Sequence, residues 1–233
     1  AMDPAALEST INDDLASGHR PFAVVATAGS TGTGAIDPLH EISRICRKHQ
    51  VWLHVDACYG GAAALLASHR DRFIGLEEAD SVCVDLHKWF FLPLTAGVLL
   101  TRHADFVAKL FDVSASYIPD GGFIEAYCRG LPTSRRATGL AAWFGLRTAG
   151  WDRIEQAIAS NIRLTRDLEQ QLAGHGFRVM AGGDLSIACA RLEPDQRDAE
   201  SLDQLQFAIS EEIRKSGKAW FATTIHEGQV WLR

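Results

Sequence analysis

The chain has no C-x-x-C pair, no run of basic residues and no apolar stretch long enough to cross a bilayer. Its five cysteines (Cys46, Cys58, Cys83, Cys128 and Cys189) form an odd set without paired spacing. Such a set suits a reducing compartment better than a disulfide framework, so the cytoplasm is the expected location. The formal charge of −6 and pI near 5.8 come without aromatic residues interleaved among Lys and Arg, which argues against a nucleic-acid partner. The longest apolar run, Trp89 to Leu100, is interrupted by Pro93 and is too short for a transmembrane helix. The N-terminus lacks the basic-then-apolar order of a secretory signal. A soluble protein without a membrane partner is expected, and no internal repeat or low-complexity tract interrupts it.

What is present is enough apolar material for a core. At 233 residues and 47% hydrophobic content, the chain can build a large α/β domain with a smaller appendage. Helical spacing over residues 3–17 ends at Gly18 and is followed by a strand-like run, 22–26. A Gly/Ser/Thr loop covers 29–34, and Asp37-Pro38 has the form of an N-cap followed by an N1 proline, opening a helix with Leu39, Ile42, Ile45 and Cys46 on one face. Strands are expected at 51–55, 81–84 and 96–100, with a small-residue helix after Gly60-Gly61. This alternation predicts a mostly parallel sheet covered on both faces.

The segment 111–131 has no strong periodicity and is long for an internal connection, which marks it as a functional or mobile loop. Helices are predicted over 134–148 and 151–172. Beyond Gly176 the pattern changes to strands at 177–180 and 185–192, a helix at 202–215, and strands at 219–224 and 229–232, read as a small α+β domain. The expected division is therefore 1–150 for the large-domain portion and 151–233 for a linking helix and the small domain.

Two stretches carry candidate chemistry. In His54-Val55-Asp56-Ala57-Cys58-Tyr59-Gly60-Gly61, the strand ends where open α/β sheets place their ligands. His54 and Asp56 share one strand face, and a carboxylate there can hold a protonated pyridine nitrogen. Taken alone, such an Asp ordinarily caps the next turn. In Asp85-Leu86-His87-Lys88-Trp89-Phe90-Phe91, a lysine stands between an imidazole and an aromatic run. Burial there would lower its pKa and free the amine to attack an aldehyde. Lys88 alone reads as a surface lysine; Lys88 and Asp56 on neighbouring strand ends point to catalysis.

The ordered set Thr27-Ala28-Gly29-Ser30-Thr31, Gly34-Ala35-Ile36-Asp37, His54-Val55-Asp56-Ala57 and His87-Lys88-Trp89 resembles the pyridoxal-phosphate (PLP) dependent group II amino-acid decarboxylases, which include aromatic-L-amino-acid and diaminobutyrate decarboxylases. The resemblance implies a large-domain portion of the PLP-dependent transferase-like fold (fold type I). It makes Lys88 the lysine that forms the Schiff base, Asp56 the partner of the pyridine nitrogen and Thr31 a polar contact near the cofactor. It places His87 beside the reacting centre, with His54 in support, and likens Tyr127 to the family's mobile-loop tyrosine that returns a proton to the substrate carbon. Cys58 stands where the family often has a small Ala beneath the ring, and Leu86 where a Pro is frequent. The implied reaction converts an L-amino acid to its amine and CO2, in a homodimer whose 111–131 loop reaches the partner's site. Trp89 looks like the aromatic decarboxylases and Phe90-Phe91 like the diaminobutyrate enzymes. The family's phosphate-binding loop and ring-stacking histidine belong upstream of residue 1, so a fragment carrying half a cofactor site is expected.

Three other readings compete. The loop 29–34 has neither a Gly-Lys-Ser/Thr ending nor G-x-G-x-x-G spacing, so it is assigned to positioning rather than to a phosphate cradle. His54, Asp56 and His87 could form a two-histidine, one-carboxylate iron site, although this leaves Lys88 unused; no metal is expected. A non-catalytic dimerising module that keeps the fold is the remaining rival, and other PLP lyases also use an Asp and Lys pair.

Overall fold

The computed structural model describes residues 1–93, 96–111, 130, 131, 134, 136–195 and 198–233. Helix α1 (Pro4–Ala16) is opened by Asp3, whose carboxylate accepts from Ala5 N–H at 2.8 Å and Ala6 N–H at 3.3 Å, with proline in the first turn. Strand β1 (Ala23–Thr27), helix α2 (Leu39–His49) and strand β2 (Trp52–Asp56) then form a β-α-β unit. Short 3-10 turns over Gly60–Leu65, Arg70–Phe73 and Leu76–Glu78 lead to β3 (Ser81–Asp85) and β4 (Gly97–Thr101). The sheet order is β1-β2-β3-β4, with β1 to β3 parallel and β4 antiparallel at the edge.

The fold class read from the sequence is the one observed. Val24, Ala26, Leu53 and Val55 alternate along β1 and β2 on the buried side, and Leu39, Ile42 and Ile45 of α2 join them in one core. Helix α3 (Ala104–Leu110) follows β4, and α4 (Thr138–Ala149) is separated by Gly150 from the long α5 (Trp151–Gly174). Ile154, Ile158 and Ile162, spaced four apart on α5, enter the same core.

The C-terminal residues form a second, antiparallel sheet of order β5-β6-β8-β7 from β5 (Phe177–Val179), β6 (Ala190–Leu192), β7 (Thr223–His226) and β8 (Gln229–Leu232). Helix α6 (Ala199–Ser216) lies between β6 and β7 in the chain. Asp198 caps its start on Ser201 N–H, and Gly217 ends it in the left-handed region at φ 68°. Arg191, fully buried on β6, is held by Glu193 at 3.0 Å, by Asp203 of α6 at 2.6 Å and by the Val230 carbonyl.

Four local expectations are corrected. Asp37 does not cap α2, whose first turn is preceded by Pro38 with no side-chain cap; its carboxylate instead takes Met2 N–H at 2.6 Å and Thr27 N–H at 2.7 Å, tying α1 to the end of β1. Only Ala190–Leu192 of the expected 185–192 strand is ladder, because Leu185 and Ile187 are apolar for packing and Ser186 bonds the Tyr59 hydroxyl. Ala222 pairs with Arg233, so the strand expected at 219–224 starts later and runs to His226, leaving Trp220 exposed. The helix expected after Gly60-Gly61 is a tighter 3-10 turn.

Candidate active site

Parallel pairing puts Thr27, Asp56 and Cys83 side by side in one row across β1, β2 and β3, with Val25, His54 and Ser81 in the row before it. Thr27, His54, Asp56 and Cys83 are all half-buried. The row ends where the strands end, and the turns beyond it carry the remaining groups.

Asp56 Oδ1 accepts from Cys58 N–H at 3.0 Å, and the Cys83 thiol lies 3.6 Å from the same oxygen. The Cys58 and Cys83 sulfurs are 3.3 Å apart. Burial pushes the Asp56 carboxyl toward the neutral form, but the hydrogen bonds of Cys58 and Cys83 and the charge of Lys88 outweigh it and hold the group below the usual carboxylate range. Asp56 is therefore an anion at neutral pH. The Cys58 thiol is driven strongly the other way, first by burial and then by Cys83 and Asp56, so it carries its proton.

Lys88 sits at the junction of two consecutive turns, with its N–H to the Asp85 carbonyl at 3.3 Å and its carbonyl accepting from Phe91 N–H at 3.2 Å. The aromatic run anchors those turns. Trp89 and Phe90 are buried, and the Trp89 indole N–H donates to Asn161 of α5 at 3.0 Å while its ring stacks on Tyr59 at 5.0 Å. Phe91 turns outward with φ at 61°, a conformation that costs a bulky residue of order 1–3 kcal/mol. The backbone beside the lysine is thus bent by burying two aromatics on one side.

Lys88 Nζ lies 2.9 Å from Asp85 Oδ2, and His87 Nε2 approaches the same oxygen at 4.0 Å. The Asp85 hydrogen bond raises the lysine pKa above its ordinary value against the opposing effect of burial, with the charges of Asp85 and Asp56 adding to it. The depressed lysine pKa expected from an apolar pocket is therefore not found: the side chain is 41% exposed and paired with a carboxylate. Lys88 and Asp56 do belong to one electrostatic cluster, since each shifts the titration of the other.

His54 is turned aside, its Nδ1 2.8 Å from the Ser81 hydroxyl. Among the described residues the His, Cys and carboxylate ligand atoms that gather are those of Asp56, Cys58 and Cys83. No histidine is in that group, which overturns the two-histidine iron reading. The loop 29–34 closes on itself: Gly29 and Ser30 N–H bond the Ala35 carbonyl, Gly34 N–H bonds the Ser30 carbonyl, and the Ser30 hydroxyl takes Thr33 and Ala35 N–H. Those donors are spent, so they cannot cradle a phosphate. Thr31 is exposed, and its carbonyl accepts from Arg233 Nε at 2.8 Å. Tyr127 lies outside the described residues.

Asp85 and Cys83 were missed by sequence reasoning. Their signal is the period-two set Ser81, Cys83, Asp85, which gives β3 one polar face. Tyr59 was also missed; its ring carries Trp89 and its hydroxyl reaches Ser186 at 2.7 Å.

The profile of the pyridoxal-dependent decarboxylase conserved domain matches residues 1–193. The chain belongs to that family. Its cofactor is pyridoxal phosphate. Tryptophan decarboxylase 2 of Oryza sativa is 30% identical over all of this chain and 48% of its own length. L-2,4-Diaminobutyrate decarboxylase of Rhizobium meliloti is 34% identical over all of the chain and 48% of its own length. The crystal structure of Oryza sativa tryptophan decarboxylase with PLP and tryptamine superposes with a TM-score of 0.94 at 26% identity, covering the whole chain and 49% of that structure. The chain therefore spans about half the length of the curated relatives it matches.

The residues present fit the cofactor. A carboxylate held ionised suits a protonated ring nitrogen, and an amine within the same charge cluster suits an aldehyde.

Proposed function

We propose that this chain is the lysine-bearing part of an enzyme that decarboxylates an L-amino acid to its amine, acting on aromatic or diaminobutyrate-like substrates as a homodimer. The observation that carries the reading is an anionic Asp56 at the end of β2 and Lys88 in the turn just beyond the adjacent parallel β3, close enough for the charge of each to act on the other. When bound, the cofactor supplies the aldehyde that Lys88 engages and a ring that draws off the electron pair left as CO2 departs.

Asp56 keeps a proton on the ring nitrogen by offering a carboxylate that its neighbours hold ionised. Lys88 Nζ must first give up a proton, which leaves to the solvent that its 41% exposed side chain reaches, while Asp85 Oδ2 at 2.9 Å orients the amine and favours its charged form. His87, near the same oxygen, contacts the substrate carboxylate or relays a proton, and Tyr127 returns the proton to the substrate carbon. Cys58 and Thr31 face the cofactor. Trp89, pinned between Tyr59 and Asn161, fixes the turn from which the lysine projects.

Among the relatives, aromatic and diaminobutyrate decarboxylases both match at about the same identity, so the substrate is tested directly. The full-length gene product is assayed for CO2 and amine release across L-tryptophan, L-tyrosine, L-DOPA, L-histidine and L-2,4-diaminobutyrate. Release of CO2 with one equivalent of amine from at least one of them is the expected result. CO2 with aldehyde in place of amine would reassign the reaction, and no CO2 from any of them would refute the proposal.

A further inference from the structure

We propose that Asp56, Cys58 and Cys83 form a site for one thiophilic divalent cation of the zinc class, and that this cation and the cofactor are antagonists. The antagonism rests on Asp56 being the ring-nitrogen partner; the metal site itself does not.

The geometry is that of a coordination shell. The three ligand atoms all lie within 4.8 Å of one another. A tetrahedral zinc centre, with bonds of about 2.3 Å to sulfur and about 2.1 Å to oxygen, holds its sulfurs about 3.8 Å apart and each sulfur about 3.6 Å from the oxygen. Here the sulfurs are 3.3 Å apart, and Cys83 Sγ is 3.6 Å from Asp56 Oδ1. A cation therefore needs only a small separation of the thiols, whereas a disulfide, at about 2.05 Å between sulfurs, needs more than an ångström of closure.

The backbone holds this spacing without a metal. Asp56 and Cys83 are Cα partners in the β2–β3 ladder, Ala57 N–H bonds the Cys83 carbonyl at 3.0 Å, and Asp85 N–H bonds the Cys58 carbonyl at 3.3 Å. Asp56 and Cys83 thus sit on paired strands, and Cys58 in the turn just beyond β2 is tied to β3 through its carbonyl.

Charge balances as well. Binding is written as M2+ plus two Cys-SH plus one carboxylate, giving a metal bis-thiolate carboxylate of net charge −1 and two released protons, with a fourth position left to water. The Lys88 ammonium, whose charge reaches both Asp56 and Cys58, offsets that negative charge. With its charge drawn to the metal, Asp56 has less to offer a pyridinium, and a protonated ring has less to gain beside the cation.

The test uses the full-length protein, kept reduced with a phosphine and titrated with Cd2+, whose thiolate bonds absorb in the ultraviolet. One ion per chain, two protons released per ion and displacement by Zn2+ are expected. The absorbance should vanish in Cys58→Ala and in Cys83→Ala and persist in Cys46→Ala and Cys189→Ala, whose thiols lie elsewhere in the core. With PLP at about ten times its Kd, the cadmium midpoint should move up about tenfold. An undiminished signal in the Cys58/Cys83 double alanine variant would overturn the site. A midpoint unmoved by PLP, in protein whose Lys88 is trapped by borohydride, would overturn the antagonism. If PLP is not trapped on Lys88 at all, the cofactor assignment fails while a Cys58- and Cys83-dependent signal still supports the metal site.

Discussion

Replacing Gly29 by alanine should damage the protein more than any ordinary loop glycine, because Gly29 and Gly60 meet backbone to backbone where β1 and β2 deliver their ends. At Gly29, φ is 105° and an added Cβ would sit 2.7 Å from Gly60 Cα, 2.8 Å from Gly60 N and 2.9 Å from Leu185 Cδ1. Reaching an ordinary contact of 3.4 Å requires the two backbones to part by about 0.7 Å. Gly18 is the internal control, with φ at 81° and nothing within 4 Å of the added atom. Both substitutions carry backbone strain of about 1–3 kcal/mol. Only Gly29→Ala adds overpacking of about 1–3 kcal/mol, for a total of about 2–6 kcal/mol. Urea unfolding of the two variants measures the difference, as a lower midpoint for Gly29→Ala at similar slope. Equal losses for the two would refute the argument that this close approach holds the strand ends together.

Three further outcomes follow from the electrostatics. Asp203→Ala strips one partner from the fully buried Arg191 and should cost about 3 kcal/mol or more, whereas Arg191→Met removes the buried charge itself and should cost less; the reverse order in denaturant titrations would contradict it. Asp85→Asn should lower the Lys88 pKa, read as faster acylation of Lys88 at mildly alkaline pH by mass spectrometry. Because that pKa is raised in the folded state, the associated stability is full below the unfolded lysine value of about 10.4 and is lost as pH rises through the folded pKa. Asp56 is depressed instead, so its contribution is present above the unfolded carboxylate value of about 3.9 and is lost as pH falls through the folded pKa. Asp56→Asn should flatten that acid limb of the stability curve, and an unchanged limb would count against the hydrogen-bonded anion.

The strand and helix alternation was legible because each element has its own period: Val24, Ala26, Leu53 and Val55 at two, and Ile154, Ile158 and Ile162 at four. Asp56 and Lys88 stood out because the first closes a short strand and the second follows the next one closely. What sequence could not show was register. Cys83 becomes a partner of Asp56 only once β2 and β3 are aligned, with His54 opposite Ser81, whereas Asp85 meets Lys88 locally, three residues apart in one turn. The Lys88 protonation state was misread because flanking aromatics suggested an apolar pocket, while Trp89 and Phe90 turned inward and the amine met the Asp85 carboxylate. Asp37 was misassigned because a carboxylate before a proline fits a helix cap locally, and only the folded chain brings Met2 and Thr27 N–H within reach.

The central claim is that Lys88 is the residue bonded to the cofactor. Borohydride reduction of the PLP-loaded full-length protein, followed by proteolysis and mass mapping, tests it most directly. A single phosphopyridoxyl group on the peptide carrying Lys88, absent in Lys88→Ala, is the predicted result. The same adduct on a different lysine, or an undiminished yield in Lys88→Ala, would contradict it.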